Sequence, residues 1–441
     1  MKKLKFWEKL AYASGDAGAC IFIDTIYIFQ LYFYTDVFGL KPAVAGAVMF
    51  FARFVGALCD IPAGLLSDRL RTRYGRFRPL VMALALPLAA VFSLLFLCPQ
   101  LPDLWKSIYA VVSLTAFMII FSFQNTPYSA LGGVMHADEV ERSSISSWRV
   151  VGSLIGGLVA MGLTLESVKF FGSDSPVSKV GWMLTSFVYA LAALPMLVSS
   201  GLFVRERVQP ASTEKLPLLK ALPETLRIKG IGFILLAAAM YSFGGGCSGG
   251  SVAYYFGYVV TQDTVGIGLF SIVGQVVTSI SCAVLTVPLS KRFGAAKVAA
   301  GSYLAAGVLS LCYLIMPPDA TWGLLGFVAI RCALYAPAIA LFWTVVAEIA
   351  DRGGGRMTAV VFALACLVNK SMAALGSFVF GWGLGKVGYV ANAPITASVE
   401  IFLRSMMAFA PFTGLAIAAW SMYRLRRREA VAPCVCEREI V

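Results

Sequence analysis

Long apolar stretches recur along this chain, separated by short polar interruptions. They fall at about 10–35, 42–66, 79–98, 105–134, 145–165, 181–204, 230–260, 264–289, 295–316, 321–347, 357–385 and 397–423. Each is near the roughly 20 residues that a helix needs to cross a bilayer. Apolar residues run continuously within them instead of alternating, which excludes a membrane barrel of strands. The pattern predicts about twelve membrane-spanning helices, with both termini on one side.

The longest polar interruption, about 206–228 (ERVQPASTEKLPLLKALPETLRI), carries proline and divides the chain near its middle. The expected organisation is a six-helix bundle over 1–205, a middle loop over 206–228, a second six-helix bundle over 229–425 and a tail over 426–441. The second apolar run is followed by GLLSDRLRTRYGRFRP and the eighth by VPLSKRFGAAKVAAG. Both read as apolar helix, serine, basic residues, glycine and a new helix, a weak repeat in corresponding positions of the two halves. The expected fold is therefore an all-α polytopic membrane protein. Twelve transmembrane helices in two parallel six-helix repeats describe the major facilitator architecture.

Composition agrees. Of 441 residues, 59% are hydrophobic and 13% charged, and mean hydropathy is +0.80. The net charge of +13 sits in the segments between spans, so it argues for membrane orientation and against nucleic acid. With the termini, the 68–78 loop and the middle loop on one side, 26 of the 36 lysines and arginines lie there, 5 lie opposite and 5 lie within spans. That asymmetry places both termini in the cytoplasm, in a cytoplasmic (inner) membrane. The basic start, MKKLKFWEKL, is read as retained, since no small-residue cleavage site follows. The ten cysteines are scattered and read as buried thiols. With His136 the one histidine, no metal site is expected. The chain has no P-loop or HExxH motif. It is expected to be no enzyme and to need no cofactor apart from a coupling ion. Its expected partners are the lipid bilayer and a small solute, and it is expected to act as a monomer.

Charged and polar residues inside the spans carry the chemistry, because a charge at membrane depth must face protein or water. The first span holds Asp16, Cys20 and Asp24 along one slowly drifting face. In the second, Arg53 and Asp60 stand two turns apart with Gly56 between. Two readings remain open there, a structural Arg–Asp pair and an ion-carrying carboxylate. Sodium prefers a cage of several oxygens, whereas burial disfavours the charged form of a lone carboxylate and suits proton carriage. Ser67-Asp68 ends that span. Arg69, Arg71, Arg73, Arg76 and Arg78 follow within ten residues. The fourth span holds Ser122, Gln124, Asn125, Pro127, Tyr128 and Ser129. Ser122, Asn125 and Ser129 share a face, as either a hydrogen-bonding site for a polyhydroxylated solute or interhelical packing. Arg149 begins the fifth span. Asn369 and Lys370 lie about a third into the eleventh, too deep for easy snorkelling. The run YSFGGGCSGGS (241–251) is expected to break the seventh span as a hinge or close-packing surface, with Tyr254, Tyr255 and Tyr258 beyond it.

Several segments resemble one family, the glycoside–pentoside–hexuronide:cation symporters of the major facilitator superfamily, to which the melibiose carrier belongs. They are YASGDAGA (12–19), YFYTDVFGL (32–40), ARFVGALCDIPAGLLSDRLRTRYGRFRP (52–79), NTPYSAL (125–131), ERSSISSWR (141–149), AYYFGYV (253–259), AEIADRG (347–353) and NKSMAALG (369–376). The resemblance implies a secondary transporter. Carried over by position, the family's first-span sugar-binding acid falls at Cys20, with Asp24 one turn beyond. Its second-span cation-site acids fall at Gly56 and Asp60, its fourth-span acid at Asn125 and its cation-site threonine near Ser122. Its aromatic platform falls at Ser129, beside Tyr128. Its fifth-span arginine falls at Arg149 and its eleventh-span lysine at Lys370, whose polar neighbours become Ala365 and Cys366.

The resemblance thus implies a solute site of Cys20, Asp24, Asn125, Tyr128, Ser129, Arg149 and Lys370. Asp60 and Ser122 are the expected coupling site, for H⁺ in preference to Na⁺. Asp16, Arg53, Asp68, Arg73, Arg76, Arg78, Glu348 and Asp351 are expected to hold the structure or gate it. The expected function is cation-coupled symport of a sugar, glycoside or sugar acid by alternating access. Two alternatives stay open: a non-sugar solute, such as an organic acid or lipid-like molecule, and a sensor or assembly factor that moves nothing.

Overall fold

The computed structural model describes residues 4–70, 72–136, 138–208, 223–260, 267–317, 320–352 and 358–431. The centre of the expected middle loop and the tail beyond 431 lie outside them. Among the described residues, twelve helices are long and apolar enough to span a membrane. They are α1 (Phe6–Val37), α2 (Pro42–Ser67), α3 (Arg78–Leu95), α4 (Asp103–Val134), α5 (Ser144–Phe171) and α6 (Lys179–Leu202). The second half holds α7 (Ile231–Val259), α8 (Gly268–Phe293), α9 (Ala295–Leu314), α10 (Thr321–Ala350), α11 (Val360–Lys386) and α12 (Ala397–Leu425).

Local sequence sets several starts. Proline occupies the first turn of α2 and of α3, where its missing N–H costs nothing. Ser178 caps α6 by accepting the Gly181 N–H at 3.2 Å, and Asp138 caps the helix leading into α5 by accepting that of Glu141 at 3.3 Å, each satisfying an orphan donor.

In the first half α1 packs on α5 and α6, α2 on α4, and α3 on α4 and α6. Moving six helices along gives the second half's packing: α7 on α11 and α12, α8 on α10, and α9 on α10 and α12. The repeat glimpsed in the loops is therefore a repeat of the whole bundle. It extends to detail. Gly75 and Gly294, in the two matching loops, both take positive φ (114° and 83°), a region that a Cβ disfavours. The far ends of α1 and α7 both widen into π-helical turns, Phe33–Val37 and Tyr255–Val259.

Small residues let the helices approach. A Cβ on Gly152 or Gly156 of α5 would strike the carbonyls of Ala13 and Ala17 on α1, the close-packing use of glycine in membranes. In α7, Gly244 and Gly246 meet Ala410 of α12 and Ala373 of α11 in the same way. The 241–251 run therefore does not interrupt α7: the helix is continuous from Ile231 to Tyr254, and Gly244 and Gly246 serve close packing while Gly245 and Gly249 meet no neighbouring atom.

On the side that carries the termini, the arginine-rich turn is held by α6 and the segment after it. Glu206 accepts the N–H groups of Arg76 (3.0 and 2.9 Å), Phe77 (2.8 Å) and Arg78 (3.2 Å), placing a negative charge at the start of α3 where the helix dipole favours it. The Arg78 guanidinium donates to the carbonyls of Gly201 (2.7 Å) and Leu202 (2.9 Å) at the end of α6. Arg73 lies over the Tyr74 ring, and Glu348 is exposed near the terminal-side end of α10. The side chains of Asp68 and Asp351 lie outside the described residues.

The halves meet through α2 with α11, α5 with α8, and α1 with α7. α2 and α11 run antiparallel in register, through Gly46 with Gly381, Phe50 with Phe378, Arg53 with Ser377 and Asp60 with Lys370. These ties run from the side opposite the termini to below mid-depth.

Candidate functional site

The polar residues nominated from sequence fall into three groups, some at the junction of the halves and some within the first half. The first is a single ion pair. Lys370 of α11 donates to Asp60 of α2, and both side chains stay partly exposed (38% and 26%). The expected cation-site acid and the expected solute lysine are thus one unit that spans the two halves. Ser122 lies one turn away from this pair in α2's frame. Its hydroxyl is buried and donates to the Gly56 carbonyl at 2.8 Å. Gly56 itself packs on Met118. The missing side chain at 56 lets α2 and α4 close up, and the serine hydroxyl stitches them.

The second group belongs to the first half. Arg149 of α5 pairs with Asp16 of α1 at 3.2 Å, donates to Ser129 at 3.2 Å and lies over the Tyr128 ring at 5.5 Å. Tyr128 is fully buried, stacks on Tyr12 at 4.7 Å between centroids and donates to its carbonyl at 2.6 Å. Asp16 therefore neutralises Arg149, and Tyr128 anchors α4 to α1.

The third group consists of polar side chains that form no ion pair among the described residues. Asp24, half-buried on α1, and Gln275 of α8 converge on Gly157 of α5. Their Oδ2 and Nε2 atoms lie 3.2 and 3.4 Å from where a side chain at 157 would begin. Asn125 is half-buried on α4, and Cys20 is half-buried on α1 against Gly156. Arg53 is the most buried member, 7% exposed. Its Nη1 donates to Ser377 at 2.9 Å and its guanidinium stacks over the Tyr27 ring at 4.4 Å. Its Nε and Nη2 have no partner among the described residues. The structural Arg–Asp pair left open by the sequence is not formed, because Lys370 takes Asp60.

A further cluster lies at the end opposite the termini. Asp36, on the π turn of α1, is buried. It accepts the hydroxyls of Tyr258 from the π turn of α7, Tyr389 from the α11–α12 connection at 2.6 Å and its neighbour Thr35 at 2.5 Å. Asn392 donates to its carbonyl at 2.9 Å, and Thr35 bonds Tyr254 at 2.7 Å. Burial, reinforced by the Asp36 charge, pushes the Tyr389 hydroxyl well above its ordinary pKa, so it remains a donor. The sequence held a signal for this latch, an acid inside an apolar run within TDVFGL, but the partners come from the other half of the chain. Gln275, the lone amide of its apolar run, was likewise passed over.

Known proteins agree with this architecture. The family profile described as MFS/sugar transport protein matches residues 11–427. The chain is 29% identical over 410 residues to the inner membrane symporter YicJ of Escherichia coli (strain K12), covering 90% of this chain and 86% of that one. It is 27% identical to a putative sulfoquinovose importer of Salmonella typhimurium, covering 95% and 88%. Among solved structures, a mutant of the nucleoside transporter NupG superposes with a TM-score of 0.68 at 13% identity, covering 95% of this chain and 98% of that one.

Proposed function

The chain belongs to the MFS/sugar transport protein family, and on that premise we propose that it imports a sugar, glycoside or sugar acid by cation-coupled symport. It is a multi-pass membrane transporter rather than an enzyme. The solute class, the coupling and the orientation are the proposal. The names of relatives, a symporter and a putative sulfoquinovose importer, support the class. The charge asymmetry of the loops supports a cytoplasmic terminal side. With that orientation the molecule is latched on the outside by the Asp36 cluster.

The observation that carries the coupling is the Asp60–Lys370 pair between the halves. An ammonium already occupies the carboxylate that a coupling cation would use. A proton arriving at Asp60 cancels the charge that holds Lys370 and loosens α2 from α11. Sodium would need more oxygens than Asp60 offers, since Gly56 supplies no side chain and Ser122, whose proton goes to the Gly56 carbonyl, adds only one neutral hydroxyl oxygen. Protons are therefore the proposed driving ion. Asp24, Asn125 and Gln275 supply a carboxylate and two amides from both halves, so a hydroxylated solute bridging them would draw the halves together.

The test is uptake by proteoliposomes of a panel of labelled sugars, glycosides and sugar acids, under a pH gradient alone and a sodium gradient alone. Accumulation under the pH gradient that Asp60→Asn abolishes is the expected result. Accumulation under sodium alone, unchanged by Asp60→Asn, refutes both the ion and the residue.

A further inference from the structure

Sequence reasoning nominated Arg149 and Lys370 as the cations that greet the solute, yet each already faces a carboxylate, Asp16 and Asp60. Arg404 likewise pairs with Glu400 at 2.8 Å. Arg331 of α10, inside the second half, lies over Tyr313 of α9 and leaves only its Nε without a partner among the described residues. Arg53 differs from all of them. It is 7% exposed, sits at the junction of α1, α2 and α11, and has only a hydroxyl and an aromatic face as company among the described residues. Its Nε and Nη2 donors are unmet there. A buried charge without a partner is costly, and an ionisable residue at membrane depth marks function.

We propose that Arg53 is the receptor for a carboxylate or sulfonate group of the solute, which makes the transported sugar an anion. This rests on the transport reading above and narrows it. Two free donors on one planar guanidinium match the paired oxygens of a carboxylate or sulfonate, the bidentate geometry for which arginine is suited. Tyr27 holds the plane of the fork and Ser377 fixes one corner, so the donors are already aimed. In the present conformation Phe50 packs near Phe378 (6.0 Å between centroids) and Gly46 on Phe378 and Gly381, contacts that join α2 to α11 between Arg53 and the latched end. Alternating access must part α2 from α11 on that side. The parting uncovers Arg53 when a solute can arrive from there. Closing again buries the charge, and an anion carried in with it removes the cost of doing so. A neutral sugar offers no such relief. Asp24, one turn before Tyr27 on α1, is the rival partner for Arg53 in the other conformation. It would make the arginine's role independent of the solute's charge.

The experiment uses the full-length protein in proteoliposomes with matched probes: D-glucuronate and 6-deoxy-6-sulfo-D-glucose against D-glucose, and D-galacturonate against D-galactose. Half-saturation of uptake is read for wild type, Arg53→Gln and Arg53→Lys, with binding followed in parallel by thermal shift in detergent. Wild type should favour at least one anion over its neutral partner by roughly tenfold or more. Arg53→Gln should weaken that anion by roughly tenfold or more, the size of a lost charge-assisted hydrogen bond, and shrink its preference over the neutral partner accordingly. Arg53→Lys, which keeps the charge and loses the fork, should fall between. Equal handling of anion and neutral sugar by wild type overturns the proposal, and that arm stands even when the glutamine variant does not fold. Equal weakening of anion and neutral sugar in both variants also overturns it and points to Asp24. Uptake of neutral sugars only would sink this inference and spare the transport reading. Uptake of no sugar in the panel would sink both.

Discussion

Asp60 and Arg53 stand two turns apart on α2, and their different fates follow from how side chains leave a helix. They tilt toward its N-terminus, so Arg53 reaches up α2 toward Ser377 and away from Asp60, while Asp60 meets Lys370 across the junction. Spacing within one helix could not decide this, because the answer depends on how α11 is rotated against α2. The arginine-rich turn teaches the same lesson. Its basic residues were conspicuous in the sequence, yet the residue that orders it is Glu206, about 130 positions on. Glu206→Ala strips three consecutive N–H groups of their acceptor. It should cost about 1–3 kcal/mol of stability by the worth of such charged hydrogen bonds, read as a lowered unfolding temperature in detergent with unchanged helix content. An unchanged unfolding temperature would show that water replaces the carboxylate without loss.

The spans themselves were legible to within a few residues, the largest miss being the end of the fifth, expected at about 165 and found at Phe171. The run expected at about 230–260 is α7, Ile231–Val259, and that at about 42–66 is α2, Pro42–Ser67. Length and hydropathy determine a membrane helix with little help from its neighbours. What periodicity could not reveal was irregularity. The π turns closing α1 and α7 have no composition of their own, and extra-residue turns of this kind collect at functional sites. Here they bring Asp36 and Tyr258 together. Asp36→Asn removes the charge that draws these hydroxyls across the halves and should loosen the latch. A reporter cysteine at Ser377, buried beneath it, in a background lacking the native cysteines, should then react several-fold faster with an impermeant thiol reagent added outside cells. Unchanged reactivity would mean that the glycine contacts of α2 and α11 hold the closure alone. The same reagent should leave a cysteine at Thr72 untouched, and labelling there would reverse the orientation argued from the loop charges.

Taken as one body, the molecule is two copies of a six-helix packing scheme joined along α2–α11, α5–α8 and α1–α7. The far end is latched by Asp36, and the junction below mid-depth is bridged by Asp60 and Lys370. A cation at Asp60 and a solute between the halves act on the same junction, so neither should cross efficiently without the other. This coupling is the central claim, and proton movement tests it most directly. Proteoliposomes carrying an internal pH dye, in sodium-free buffer and with no imposed gradient, receive from outside the solute that the uptake panel singles out. The account expects the lumen to acidify as solute enters, and expects Asp60→Asn, whose neutral amide stands in for the protonated acid, to let solute equilibrate with no acidification. Solute entry into wild-type vesicles with a steady internal pH would contradict it.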